Sequence, residues 1–295
     1  MSNATIKYYP VDNGDCTLIT LGDGTTMLVD CNIRETAAGD TDDTKFDVKQ
    51  DLLASLKRNA SDNLFVDVFV LTHGDHDHCR GFGKNFYQGD PAKYTAEDRK
   101  AGRILIDELW FSPMVEEESS NSDEDVFEIE AMRRVALHRA QAANCNAPGN
   151  RVIVVGYDKE SSFADLNHIR QTPGNIILDF NQKPQTTFSV FLHAPFKEHL
   201  YEKDRNCASI VFQARFKQNV TDADFSCLAM FGGDSDHYTW DIILNKTQYF
   251  QNDILQQALA WDLFLAPHHC SWSYFNDRPQ ADNPTPKPEP LAVLD

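Results

Sequence analysis

The chain has 295 residues, 41% of them hydrophobic and 24% charged, with a formal net charge of −18. That length suffices for one large domain or two small ones with a core that needs no covalent staples, and the composition is that of an ordinary globular protein. The acidic balance argues against an extended polyanion such as nucleic acid as a ligand, and no apolar run approaches membrane-spanning length.

From the N-terminus, IKYYPV, CTLITL and TTMLVDC alternate between Asn13-Gly14 and Asp23-Gly24 turns, which predicts a β-meander over residues 5–31. Residues 32–45 read as a polar loop. Phe46, Leu52, Leu53 and Leu56 recur at helical spacing, and LFVDVFVL, ending at Leu71, reads as a buried strand. ILIDELWFS (104–112) is another strand, stopped by Pro113. The acidic run 115–125 reads as a solvated loop. A helix follows to about Ala143, with Ser122 and Asp125 as its capping pair, and Pro148-Gly149 breaks it. RVIVVGY, IILDF, TTFSVFLHAPF, ASIVFQARF and FSCLAMF read as strands, 238–246 and 252–260 as helices, and DLFLAP as a last buried strand. The tail from Asn276 ends in LAVLD, which reads as the start of a strand, either an edge strand or one cut short. MSNATIKYYP lacks the apolar region of a secretory signal. Seven scattered cysteines without C-x-x-C spacing predict reduced thiols in a cytoplasmic protein.

The chemistry concentrates in THGDHDH, directly after the LFVDVFVL strand. Positions 73–78 offer His73, Asp75, His76, Asp77 and His78. On an extended or tightly turned segment alternate residues point the same way, so His73, Asp75 and Asp77 converge, and His78 points to a neighbouring position. One short loop could then serve two adjacent divalent cations. A helical face is not expected, because the run follows a β-type segment and contains Gly74. A solvated charge run is the alternative; five donors in six positions weigh against it.

THGDHDH resembles the H-x-[HD]-x-D-H signature of the metallo-β-lactamase superfamily. Its aspartate at the third position is similar to the metallo-hydrolase domains of bacterial DNA-uptake channel proteins. PVDNGDCTLITLGDGTTMLVDC, NCASIVF, MFGGDSD and LAPHHCSWS resemble, in order, that branch's opening hairpin, its N-x-x-S-x-V strand, its L-x-G-D element and its V-x-H-H-G-S loop, over about residues 8–275. The resemblance implies one α/β domain over 5–295, a four-layer αββα sandwich with an insertion at about 113–175 that covers the site. It implies two divalent metal ions, zinc or manganese. His73 and Asp75 would hold the first, Asp77 and His78 the second; Asp234 would bridge both and His269 would complete the second. Asp77 would also orient the attacking hydroxide, and His268 would face the substrate and hydrogen-bond its developing negative charge.

Other residues carry plainer readings. His76 points away, His193 is structural, and Asp236 and His237 are accessory polar residues. Asp15 and Asp30 position a turn and a loop. Asn206 and Ser209 stand where other branches place a third histidine, which implies a weakly held first metal. Cys79 follows the signature where a small apolar residue is usual. Cys270 replaces the usual glycine and reads as a buried thiol, although glycine reaches backbone angles that cysteine reaches only with strain. The expected activity is metal-dependent hydrolysis of a phosphodiester, a small nucleotide or similar. The alternatives are hydrolysis of a carboxylic ester, thioester or amide at the same centre, and a non-catalytic metal-binding or interaction module. The intact signature weighs against the last, since structural metal sites are closed by protein ligands.

Overall fold

The computed structural model describes residues 3–35, 45–115, 121–158, 163–201, 205–248 and 257–294. It is a mixed α/β structure built on two main sheets. The first opens with the antiparallel meander β1 (Thr5–Tyr8), β2 (Thr17–Thr20) and β3 (Thr26–Val29). After α1 (Val48–Ser55) and the short β4 (Lys57–Arg58), β5 (Leu64–Val70) lies parallel to β3. The short helices α2 (His76–Cys79), α3 (Phe82–Asn85) and α4 (Ala96–Lys100) lead to β6 (Leu105–Phe111), and the long α5 (Ser122–Arg139) leads to β7 (Arg151–Val155). With β8 (Arg170–Gln171) the order across the sheet is β1-β2-β3-β5-β6-β7-β8, with β4 paired to β5.

The second sheet begins at β9 (Ile176–Ile177). A ribbon of β10 (Asp179–Phe180) and β11 (Lys183–Pro184) precedes β12 (Phe188–Ala194), β13 (Val211–Phe216) and β14 (Cys227–Phe231). α6 (His237–Gln248) then connects to β15 (Leu263–Leu265), which lies parallel to β14. The order is β15-β14-β13-β12-β9. Two further helices close the chain, α7 (Trp272–Phe275) and α8 (Pro288–Leu294).

Three apolar cores explain why these elements stack. Neighbouring residues on a strand point to opposite faces. Leu18, Leu28, Phe69 and Leu109 meet Leu52, Phe82, Phe127 and Val135 from the helices over the first sheet. Ile19, Val29, Val70 and Trp110 point the other way and meet Val190, Leu192, Phe212 and Phe231 of the second sheet. That sheet's outer residues Ala194, Val211 and Met230 pack against Trp240, Ile243 and Tyr274. Strands buried on both faces read as unbroken apolar runs, which is why LFVDVFVL was recognisable. Among the described residues no helix is long and apolar enough to cross a membrane.

Several expected elements differ. α5 is capped by Asn121, whose side chain accepts from the Glu124 amide at 3.0 Å, rather than by Ser122 and Asp125; the cap side chain must precede the first helical residue. The helix ends at Arg139, short of Ala143. Of the acidic run 115–125, residues 116–120 lie outside the described residues, and the rest is not a solvated loop. Asp123 accepts the Gly81 and Gly83 amides at 2.8 and 2.9 Å, and Glu124 is buried. Within the segment read as an insertion, α5 and β7 belong to the first sheet and its helical core, through Phe127, Ala131, Val135 and Val152. IILDF breaks at Leu178 into β9 and β10. Residues 249–256, most of the helix expected at 252–260, lie outside the described residues, and 257–259 form a single 3-10 turn. Of LAVLD, residues 291–294 are helical, not extended, and 295 lies outside the described residues. Pro288 and Pro290 sit in the first turn of α8, where a missing N–H costs nothing, and Val293 packs beside Tyr274 while its carbonyl accepts from the Trp261 indole at 2.8 Å.

Candidate metal centre

Four strands end at one rim between the sheets. Asp30 follows β3, Thr72 and His73 follow β5, Asp234 follows β14, and His268 and His269 follow β15. Backbone polar groups are free to turn toward ligands at such ends, because the ladder no longer constrains them.

The signature segment is part helical, against the expectation that no helix forms there. Residues 76–79 form one helical turn, α2, in which the His78 and Cys79 amides donate to the Asp75 carbonyl at 2.9 and 3.2 Å. The turn swings His78 back onto His73, so that the ring centroids lie 4.0 Å apart. His76, on the outer side of the turn, is exposed as expected. Asp30 anchors the arrangement from behind. It is fully buried at φ 55, a left-handed conformation that Asp tolerates better than most residues. Its carboxylate accepts from the Thr72 amide (2.7 Å), the Thr72 hydroxyl (2.7 Å) and His78 Nδ1 (2.8 Å). The loop-positioning role read for Asp30 therefore extends to fixing an imidazole: with Nδ1–H committed to Asp30, His78 Nε2 presents a lone pair to the rim.

Asp234 lies at the centre. Its Oδ2 is 3.4 Å from His73 Nε2 and 4.0 Å from His268 Nε2, and its Oδ1 is 3.0 Å from His78 Nε2 and 3.5 Å from His269 Nε2. His269 Nε2 is also 3.2 Å from Asp77 Oδ2 and 3.3 Å from His78 Nε2. Asp75 is more peripheral, with Oδ2 3.7 Å from His73 Nε2. Donors around a tetrahedral ion at about 2.0–2.1 Å stand about 3.3 Å from one another, so these separations match atoms arranged to share a cation. His73 Nε2 and Asp234 Oδ1 are buried without a hydrogen-bond partner, so both atoms are available to a cation. Among the described residues two groups could hold a metal ion: His73, His78 and Asp234, and Asp15, His78 and His269.

Asp15 belongs to the cluster, contrary to its reading as a turn residue. Gly14, at φ +109, has no side chain, and a Cβ there would stand 2.3 Å from the Asp77 carbonyl. This absence lets the β1–β2 connection press onto α2. Asp15 N then donates to the Asp77 carbonyl at 3.3 Å, and its carboxylate reaches His269 Nδ1 at 3.5 Å. The hairpin motif contained Asp15, yet no local signal distinguished it from an ordinary turn aspartate.

The electrostatics follow from crowding carboxylates and imidazoles. Burial penalises the Asp234 carboxylate, but the adjacent His73 and His78 imidazoles outweigh it and hold its pKa far below the carboxylate range. Burial disfavours a charged His269, yet Asp15 and Asp77 raise its pKa to about 9. In return the His269 hydrogen bond lowers Asp77 to about 2. Burial opposes charge on His78 too, and Asp30 and Asp234 reverse it, raising its pKa well above the ordinary value. Positive charge is thus favoured at the centre of the cluster, supplied by protons where no cation is bound.

The outer residues divide by role. His268 sits at the rim with its side chain 28% exposed, its Nδ1 held by Ser273 Oγ at 2.8 Å. His268, His269 and Cys270 are all left-handed, at φ 51, 52 and 59, a run of strained residues held by His268 N donating to the Gly233 carbonyl. Cys270 is exposed, correcting the buried-thiol reading, while its positive φ bears out the strain argument. Cys79 is buried, its thiol donating to the Gly74 and Asp75 carbonyls. The Asp234 amide donates to Ser209 Oγ at 3.2 Å, so Ser209 positions Asp234. Asp236, not Asp234, caps α6 by accepting from the Thr239 amide at 3.0 Å. His193 is buried on the second sheet against Phe191, as a structural histidine. Ser273 was missed for want of any sequence signal.

No protein-family model matches the chain, and no curated protein matches it.

Proposed function

We propose that the chain is a metal-dependent hydrolase of the metallo-β-lactamase type, its two sheets and flanking helices forming the αββα sandwich, and that it cleaves a small phosphodiester such as a nucleotide. The carrying observation is the convergence of His73, Asp77, His78, Asp234 and His269, from three remote segments, at cation-sharing distances around buried orphan atoms. His73, Asp75 and one oxygen of Asp234 would hold one divalent ion; Asp77, His78, His269, Asp15 and the other oxygen of Asp234 would hold a second. A mixed imidazole and carboxylate set suits zinc or manganese. Bound there, the ions supply a water of lowered pKa and positive charge for the anion that develops on the substrate.

The protein's own groups do the rest. Asp30 holds His78 in the tautomer that leaves Nε2 free. Asp77, with its side chain 37% exposed, is open enough to accept a hydrogen bond from an attacking water and orient it. His268 is fixed by Ser273 so that Nε2 faces the cluster and can donate to the substrate's oxyanion. A small substrate fits a chain of net charge −18 better than a polynucleotide does. The seven free cysteines suit a reducing compartment, the cytoplasm.

The test combines elemental analysis with turnover of bis(p-nitrophenyl) phosphate against p-nitrophenyl acetate in added manganese or zinc. The proposal expects bound metal, phosphodiester turnover, and loss of both in His78→Ala. Preferential acyl turnover would replace the substrate class. Protein that binds neither metal would remove the hydrolase reading.

A further inference from the structure

Far from the rim, at the end of the second sheet where β12 begins and β13 finishes, lies a cavity of about 180 Å³. Its floor is Arg215, which is completely buried. The guanidinium donates from Nε to Gln213 Oε1, but Nη1 and Nη2 have no hydrogen-bond partner. It lies between two rings, 4.6 Å from the Phe191 centroid and 5.4 Å from that of Phe225. Burial lowers its pKa to about 10, so it stays charged at neutral pH. A buried cation is ordinarily paired, and stacking on two aromatic faces leaves its in-plane N–H donors unsatisfied.

The surroundings have the complementary character. Lys217, Thr186, Thr187 and Ser189 line the same cavity, and no lining residue is a carboxylate. In a chain of net charge −18, a pocket with two cations, three hydroxyls and no acid is an exception that favours an anion. These donors outnumber the acceptor oxygens of a carboxylate and suit the three terminal oxygens of a phosphoryl group, to which the guanidinium fork is matched. The volume lies below that of sites for drug-sized molecules. We propose that this cavity binds a phosphoryl group, free phosphate or the terminal phosphate of a small phosphomonoester, with Arg215 making the principal contact. Phe225, half-buried on the connection between β13 and β14, forms one wall of the cavity.

Calorimetric and thermal-melt titrations of metal-stripped protein with inorganic phosphate test this, with ribose 5-phosphate and acetate as parallel arms. Wild type is expected to bind phosphate or the monoester and melt at higher temperature in its presence, with acetate weaker. Arg215→Met fills the same space without charge but leaves Gln213 Oε1 without its donor, so it should still fold, and it should bind phosphate about 10- to 100-fold more weakly, by loss of charge-assisted bonds. Lys217→Met, a milder change at a partly exposed residue, should weaken binding less. Preference between free phosphate and the monoester distinguishes the two sources. Equal phosphate affinity in wild type and both variants would move the anion to the histidine cluster and overturn the proposal, as would no response in wild type.

Discussion

Asp30 touches no cation in the proposed centre, yet its replacement by Asn should weaken metal binding strongly. Asn has the same shape and tolerates the left-handed backbone at φ 55, so the substitution isolates the hydrogen bonds. The carbonyl oxygen of Asn can still accept from the Thr72 amide, now at 2.7 Å. The new NH₂ group then faces His78 Nδ1 at the 2.8 Å contact, where a donor was accepted before. His78 must turn its lone pair to Nδ1 and carry its proton on Nε2, the atom 3.0 Å from Asp234 Oδ1. That is the wrong tautomer for a ligand. Loss of such an outer hydrogen bond lowers metal affinity about 10- to 100-fold, or about 1.4–2.8 kcal/mol. The metal-free protein also loses a charge-assisted bond, worth about 1.5–3 kcal/mol, because Asp30 helps keep His78 protonated. Titration calorimetry with zinc and manganese, paired with urea unfolding of the metal-free protein, measures both. Thr72→Val is measured alongside: it removes a hydroxyl bond to Asp30 and the 3.1 Å hydroxyl contact to His73 Nδ1 but leaves the Asp30–His78 bond, so it reports how much of the effect does not pass through His78. Asp30→Asn protein binding zinc within about twofold of wild type would refute the claim that this carboxylate sets the imidazole's tautomer.

Three further outcomes follow from the same geometry. His269 has its pKa raised to about 9, so it is protonated at pH 7.5 in metal-free protein, and metal must displace that proton. Calorimetry in buffers of different ionisation enthalpy should show proton release on binding, with apparent affinity rising toward pH 9; buffer-independent heats would contradict this. Burial lowers His193 to about 3, aided by Arg215, and likewise lowers His199 to about 4. Both are neutral when folded and protonate on unfolding below about 6.5, so stability is full above that pH and falls as pH drops toward the folded values. The loss by pH 5 is about 2 kcal/mol for each. Urea midpoints at pH 7 and 5 for wild type and His193→Phe should reveal it, and an unchanged difference in the variant would count against it. Cys270→Gly should raise stability by about 0.5–1 kcal/mol, because relief of the left-handed strain at φ 59 exceeds the entropic cost of glycine. A lowered melting temperature would show that the exposed thiol contributes contacts.

Much of this molecule is readable from local pattern. The strands around Leu18, Val29, Phe69 and Val190 are recognisable because side-chain alternation is a property of neighbours in sequence. The donor types at 73–78, Asp234 and 268–269, each just past an apolar run, are equally plain. Local pattern misleads where a few residues decide between two geometries. Residues 76–79 turn helical after a strand, and residues 291–294 wind into α8 although their composition suits extension. It is silent where the partner is remote. Nothing near Asp15 indicates that Gly14 will let it press onto Asp77, and nothing near Arg215 indicates that its Nη atoms will be enclosed without a counter-charge.

The sequence by itself determined where the long core strands run, which residues can donate to a cation, and that the chain is strongly acidic. Those properties reside in single residues and their immediate periodicity. Only the tertiary structure decided which donors share a point, that Asp15 joins them, and that Asp30 stands behind His78. Distances between residues up to about 250 positions apart are set by how two sheets pack, and packing is a sum over many contacts that no short stretch of chain encodes.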